Sequence, residues 1–249
     1  YSTKRMVQKA RRNLALLQAD IEAHGEGPQH YRFLADCFAS LGRPEEALHY
    51  AQLAVTAPLQ AVGSQSDMYF LILQCLRWLE RPLEERLAAA RAAQEAFPLL
   101  PEYQAEEGAL LEEMGRVFEA RERLTRALEL YRRPMDNSGE ASHFAGMAGQ
   151  TYQKLAAINW QEGEKAMAEE NIEQALRLNP YDEEALNLYA EMRRGQPVNE
   201  AAAELRRFFP SDEAALQYLL RWAEQNGWIR LYQYFGGQLA AEFGKTAPR

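Results

Sequence analysis

The stretch that decides the fold runs Gly149-Gln150-Thr151-Tyr152-Gln153-Lys154-Leu155-Ala156-Ala157-Ile158-Asn159-Trp160-Gln161-Glu162-Gly163-Glu164-Lys165-Ala166-Met167-Ala168-Glu169-Glu170-Asn171-Ile172-Glu173-Gln174-Ala175-Leu176-Arg177-Leu178-Asn179-Pro180. Tyr152, Leu155 and Ala156 recur at helical spacing, as do Ala168, Ile172 and Ala175. Gly163 interrupts the pattern, where a left-handed cap can end one helix and start another. Ala168 and Ala175 are small, so the two helices can approach closely. Pro180 closes the unit, because it cannot continue a helix. The same grammar occurs elsewhere. Gly42 and Gly115 are each followed five residues later by an alanine, Ala47 and Ala120, and seven residues further by Ala54 and Ala127. Pro58 and Pro134 then follow.

This pattern resembles the tetratricopeptide repeat, a 34-residue helix-turn-helix unit. The best copy is Gly149 to Asp182, and looser ones cover Pro28 to Pro58, Ser66 to Pro98, Pro101 to Pro134 and Glu183 to Pro210. The second copy lacks the turn glycine, reading Glu80-Arg81-Pro82-Leu83, and Arg86 stands near its anchor alanine. The anchors Ala47, Ala120, Ala168 and Ala202 mark a register interrupted once, by an insertion near 131–148. That insertion holds Pro134, Asp136, Asn137, Ser138 and Gly139, a turn signal. The resemblance implies an all-α, right-handed α-solenoid of helix-turn-helix repeats with leading and capping helices. The expected organisation is a leading linker helix at 1–26, about five repeats at 27–210 and a capping helix pair at 211–249. Alternating β-branched runs are missing, which independently favours an all-α chain.

The 249 residues are 47% hydrophobic and 26% charged, with 15 Gly, 11 Pro and 2 Cys. This excludes a collagen, a disulfide scaffold and a disordered tail. No apolar run is long enough to span a membrane, and the basic N-terminal stretch has no apolar core of a signal peptide behind it. Twenty-eight basic against 36 acidic residues give a net charge of −8, so a surface built for a nucleic-acid backbone is not expected. Two cysteines without a signal peptide point to a reducing compartment, hence the cytoplasm. Cys37 and Cys75, at equivalent places in neighbouring repeats, are expected as free thiols.

The search for chemistry is negative. The aspartates form no Asp-x-Asp clamp, and the four histidines form no His-x-x-x-His pair. Phosphate loop, dinucleotide fingerprint and nucleophile elbow are all missing. Carboxylate pairs such as Glu112–Glu113 and Glu183–Glu184 read as solvated helix surface. The fragment is therefore expected to have no catalytic residue, no metal and no cofactor. What remains is the groove that the repeat resemblance implies, lined by the inward faces of the first helices, which would bind a protein or peptide. Its candidate residues are Arg32, Asp36, Phe70, Gln74, Arg77, Trp78, Gln153, Trp160 and Asn187, and the same mapping also gives Gln29, Asp67, Glu102, Glu112, Glu113, Gln150, Gln161, Glu191 and Arg194. Phe70, Trp78 and Trp160 are the candidate anchors, since aromatic side chains dominate binding hot spots. The aromatic C-terminal stretch, from Tyr218 and Trp222 to Phe235, reads as the core of the cap or as a contact in a homo-oligomer.

The N-terminal stretch carries a second resemblance. Lys9-Ala10-Arg11-Arg12-Asn13-Leu14-Ala15-Leu16-Leu17, eight residues after Tyr1, is similar to the junction in bacterial family 2 glycosyltransferases that carry such repeats. The first residue is Tyr rather than Met, as in a chain cut after a catalytic domain. The resemblance implies a parent transferase using a nucleotide-sugar donor, with these repeats positioning its glycosyl acceptor or a partner. No catalytic residue of that family is present to carry over. The alternative is a stand-alone adaptor, or a chaperone-like protein, that holds a peptide segment in its groove.

Overall fold

The computed structural model describes residues 3–57, 65–133 and 142–244, and all of its regular structure is helical. The turn signal at 134–139, Pro58 and the Tyr1-Ser2 start lie outside the described residues. The chain divides into two compact units, Tyr1–Ala145 and Gly146–Arg249.

Among the described residues the first unit holds seven α-helices. They are α1 (Thr3–His24), α2 (Pro28–Ser40), α3 (Pro44–Thr56), α4 (Gln65–Trp78), α5 (Leu83–Ala96), α6 (Pro101–Glu113) and α7 (Val117–Tyr131). Three antiparallel hairpins result, α2/α3, α4/α5 and α6/α7, each packed on the next, with α1 laid against α2. The second unit holds α8 (Ala148–Gln161), α9 (Lys165–Leu178), α10 (Glu183–Met192), α11 (Val198–Arg206), α12 (Glu213–Gln225) and α13 (Ile229–Phe243). Here too successive helices pair, α8 with α9, α10 with α11 and α12 with α13.

One turn chemistry builds most of these hairpins. Gly42, Gly115, Gly163 and Gly227 adopt φ of 70°, 73°, 82° and 72°. In each case the next residue donates its N–H back to a carbonyl five residues earlier, as in Arg43 N to Phe38 O at 2.9 Å and Glu164 N to Asn159 O at 2.9 Å. That bond satisfies carbonyls that would otherwise be orphaned at the helix end. The second hairpin keeps the geometry without the glycine. Glu80 takes φ of 50°, and Arg81 N reaches Leu76 O at 3.0 Å. An L-residue in that conformation costs about 1–2 kcal/mol.

The anchor alanines Ala47, Ala120, Ala168 and Ala202 are fully buried. In the second hairpin Arg86 stands near that place, with its guanidinium directed at Glu113 of α6, 3.4 Å away. The core of the first two hairpins gathers Leu14, Leu34, Phe38, Met68, Ile72 and Leu76. His30, buried, ties α1 to α2: its Nε2 lies 2.8 Å from Asp20, and its Nδ1 accepts from Gly27 N. A carboxylate can only accept, so this imidazole is set as the Nε2–H tautomer. The hydrogen bonds from His30 and then His24 hold the Asp20 carboxyl below its ordinary range.

In the second unit Asp182 and Asp212 cap α10 and α12, accepting from Ala185 N at 3.0 Å and Ala215 N at 2.8 Å. Trp222 and Phe235 are buried at the centre of the last hairpin. Arg193, buried, stacks over the Tyr189 ring and pairs with Glu169 of α9 and Glu204 of α11.

Candidate functional site

In the first unit, α2, α4 and α6 each present residues at the same register to one shared face. On α4 the residues are Asp67, Phe70, Gln74, Arg77 and Trp78, spaced so that they share one side of the helix. Arg32 of α2 donates to Asp67 at 2.6 Å, and Arg77 donates to Glu106 of α6 at 2.5 Å. These two pairs join three successive first helices across one surface. Tyr103 of α6 adds a bond from its hydroxyl to Ser66 O at 2.6 Å. Asp36 also lies on α2. Its carboxyl is pushed above the ordinary range by desolvation, with Asp67 adding to the rise and Arg32 opposing it.

Two carboxylates hold equivalent positions here, Asp67 near the start of α4 and Glu102 near the start of α6. Both are used by a short segment that follows α7 far along the chain. Glu102, fully buried, accepts from Ser142 Oγ at 2.9 Å and from His143 N at 3.0 Å. Asp67 accepts from His143 Nε2 at 3.0 Å, and the imidazole stacks on Phe70 with centroids 4.5 Å apart and planes 13° from parallel. Phe144 follows, completely buried against Tyr131. The face therefore already carries a dipeptide of the same chain, anchored at one end by an aromatic plug.

Of the nine candidate residues, Arg32, Asp36, Phe70, Gln74, Arg77 and Trp78 lie on α2 and α4 of this unit. Gln74, Arg77 and Trp78 remain exposed, Trp78 at 61%. Gln153, Trp160 and Asn187 belong to the second unit, on α8 and α10. Trp160 is half-buried with the Lys165 ammonium 5.9 Å from its ring centre. Asn187 is engaged at both ends of its amide, donating to Asn226 at 2.8 Å and accepting from Trp228 Nε1 at 2.9 Å. It braces α10 against the α12–α13 turn.

Sequence reasoning missed Ser142, His143 and Glu106. The insertion marked where the segment begins, but nothing local to it names Asp67 or Glu102, 76 and 40 residues away along the chain. The buried acids of α6 are also unlike the solvated carboxylates the composition suggested. Glu107, almost wholly buried, lies 2.9 Å from Arg91 of α5 and 3.4 Å from Arg123 of α7. A buried carboxylate persists only when paired or hydrogen-bonded in this way.

Among the described residues no group of His, Cys, Asp and Glu is placed to hold a metal ion, and no helix is long and apolar enough to cross a membrane. Cys37 and Cys75 are buried free thiols, and desolvation raises Cys75 to about 11.

A tetratricopeptide repeat model matches residues 149–182, the α8/α9 hairpin. No curated protein matches the chain. Among solved structures, the C-terminal part of a TPR repeat-containing protein from Cytophaga hutchinsonii is similar with a TM-score of 0.57 at 11% identity, covering 98% of this chain and 95% of that one. PilW, described as a widely conserved type IV pilus biogenesis factor, gives 0.53 at 15% identity over 88% and 94%. YrrB, described as a TPR protein with an unusual peptide-binding site, gives 0.52 at 18% identity over 73% and 84%. At such identities the likeness is one of fold, and the fold is the all-α one of tetratricopeptide-repeat proteins.

Proposed function

We propose that this chain is a protein-interaction scaffold that binds a peptide segment of a partner on the face shared by α2, α4 and α6. One observation carries the reading. That face already holds a short piece of polypeptide, gripped through its main-chain N–H by Glu102 and through its side chain by Asp67 and Phe70. A surface that satisfies one backbone donor and one planar side chain in this way has the chemistry of a peptide receptor. Trp78 and Gln74 extend the same helix face beyond the segment and stay exposed. The similar fold of YrrB, a protein described by its peptide-binding site, supports the same reading.

The test is selection from a random 12-residue peptide library on the full chain, followed by mapping of the enriched peptides by amide chemical-shift changes. The expected map covers α2, α4 and α6, and Trp78→Ala is expected to weaken binding while moving stability by less than about 0.5 kcal/mol, as for other exposed positions. Failure to enrich any peptide, or a map on other helices, would refute the reading.

A finer version makes this array the partner-positioning part of a family 2 glycosyltransferase. It rests on Arg12-Asn13-Leu14 and Leu16-Leu17 of α1, where Leu16 is 65% exposed. A coding sequence upstream of Tyr1 without an Asp-x-Asp motif in an α/β nucleotide-binding pattern would remove it.

A further inference from the structure

The way Ser142-His143 is held specifies what the first-helix face selects. Glu102 takes a main-chain N–H, which every residue but proline can offer, so that contact fixes position and not identity. The adjacent hydroxyl of Ser142 shares the same carboxylate. Identity is read on the side chain of that same residue, His143, where Asp67 faces a ring N–H and Phe70 lies flat against the ring at 4.5 Å. A flat apolar ring beside a carboxylate selects a planar side chain that carries an N–H donor. Among the aromatic side chains imidazole is the one of this size that carries an N–H, and Arg32, on the other oxygen of Asp67, repels a longer cation such as guanidinium or ammonium.

The burial differs along the segment. Phe144 is a sealed core residue, whereas the side chains of His143 and Asp67 retain 37% and 30% of their exposure. The imidazole can therefore leave Phe70 and Asp67 for water without opening the core. Its departure would uncover Asp67 and Phe70 next to the exposed Gln74 and Trp78, a contiguous strip on α4.

We propose that the α4–α6 face of the first unit is a receptor for a histidine-bearing peptide segment of a partner protein, and that Ser142-His143 is its built-in competitor. This rests on the peptide-binding reading given above and adds to it the residue recognised and the internal brake. A partner histidine replaces His143 between Asp67 and Phe70, while Glu102, fully buried, keeps its bonds to the resident Ser142 hydroxyl and His143 N–H. The resident segment lowers the apparent affinity by the fraction of time that the face is free.

The experiment uses the full chain and a fluorescein-labelled synthetic peptide of residues 138–147, read by anisotropy. The expected result is that His143→Ala binds this peptide about tenfold more tightly than the unaltered chain does, the factor for a face free about a tenth of the time. The same peptide with alanine in place of its histidine should lose binding to His143→Ala, and adding Phe70→Ala to that variant should abolish it. Thermal unfolding by circular dichroism confirms that each variant is folded, and Ser142→Gly, which leaves the ring in place but removes a Glu102 contact, should give an intermediate gain. Equal binding to the unaltered and His143→Ala chains, or binding that ignores the peptide histidine, overturns the proposal. No binding to a folded His143→Ala chain overturns it too. Library peptides that map to α2, α4 and α6 without histidine, and do not respond to His143→Ala, would leave the scaffold reading standing and remove this one alone.

Discussion

Gly108 brings α6 close against α7, and Gly108→Ala tests that packing. In a helix interior, alanine is favoured over glycine by about 1 kcal/mol. A methyl group on Gly108 would lie 2.8 Å from Leu124 Cγ, 2.9 Å from Leu124 Cδ2 and 3.2 Å from the Leu124 backbone nitrogen. Carbon atoms in comfortable contact are about 3.5–4.0 Å apart. Leu124 is fully buried and cannot turn aside, and the nearby backbone means that α7 itself must retreat from α6. Overpacking of this kind costs about 1–3 kcal/mol. The cost outweighs the propensity gain, and Gly108→Ala is expected to lose about 1 kcal/mol. Gly237, in the exposed interior of α13, is the control. Nothing lies within 4 Å of its added methyl, so Gly237→Ala should gain most of the 1 kcal/mol that helix propensity allows. Urea unfolding followed by circular dichroism measures both as shifts of midpoint at constant slope. Trimming the obstruction should give rescue. Leu124→Ala alone costs about 2–5 kcal/mol, and the double variant should cost less than the sum of the two by about 1 kcal/mol. A Gly108→Ala chain as stable as Gly237→Ala would refute the reasoning, because α6 and α7 would then yield without cost.

Glu80→Gly replaces the only non-glycine residue with positive φ among the described residues, and is expected to raise stability by about 0.5–1 kcal/mol in the same urea assay. Arg193→Met keeps the stem packed on Tyr189 but strands two carboxylates. Since Glu169 and Glu204 keep 53% and 35% of their side-chain exposure, water can take over, and the loss should stay near 1–2 kcal/mol, about the scale of partly exposed pairs. Arg193→Ala, which also removes the stem, should lose about 1 kcal/mol more, and equal losses would count against the packing role. Burial raises the Cys75 thiol to about 11 from 9.0. Its contribution to stability is therefore complete below pH 9 and drains away as the pH climbs toward 11, because the unfolded chain ionises first. Cys75→Ala should flatten that part of the stability–pH curve, and a thiol reagent at pH 8 should react with neither cysteine until the chain unfolds.

Much of the fold is legible along the chain because its determinants are local. A glycine that needs positive φ, an alanine that admits a neighbouring helix and apolar side chains at steps of three and four act within one hairpin. Gly42, Gly115 and Gly163, with Ala47, Ala120 and Ala168, mark those hairpins in the sequence and sit at the same places in the structure. The missing glycine of the second turn is legible as well, and the structure shows how it is borne: Glu80 accepts the strained conformation. Candidate site residues follow less directly. Helical register places Phe70, Gln74, Arg77 and Trp78 on one side of α4, and the structure keeps them there. Register does not say which of them are spent on neighbours. Asn187 had the right register and is consumed by Trp228 and Asn226 of the last hairpin.

Sequence by itself determined the helical class, the hairpin grammar and the side of each first helix that faces its neighbours, since each depends on residues a few positions apart. The tertiary structure alone decided that Glu102, Glu106 and Glu107 are buried acids with partners, and that Ser142-His143 returns to Asp67, Phe70 and Glu102. Those outcomes depend on pairs 29 to 76 residues apart and, for Glu107, on arginines from two different helices. A carboxylate on a helix reads the same in sequence whether water or an arginine faces it, and only the packing of one hairpin on the next decides which it meets.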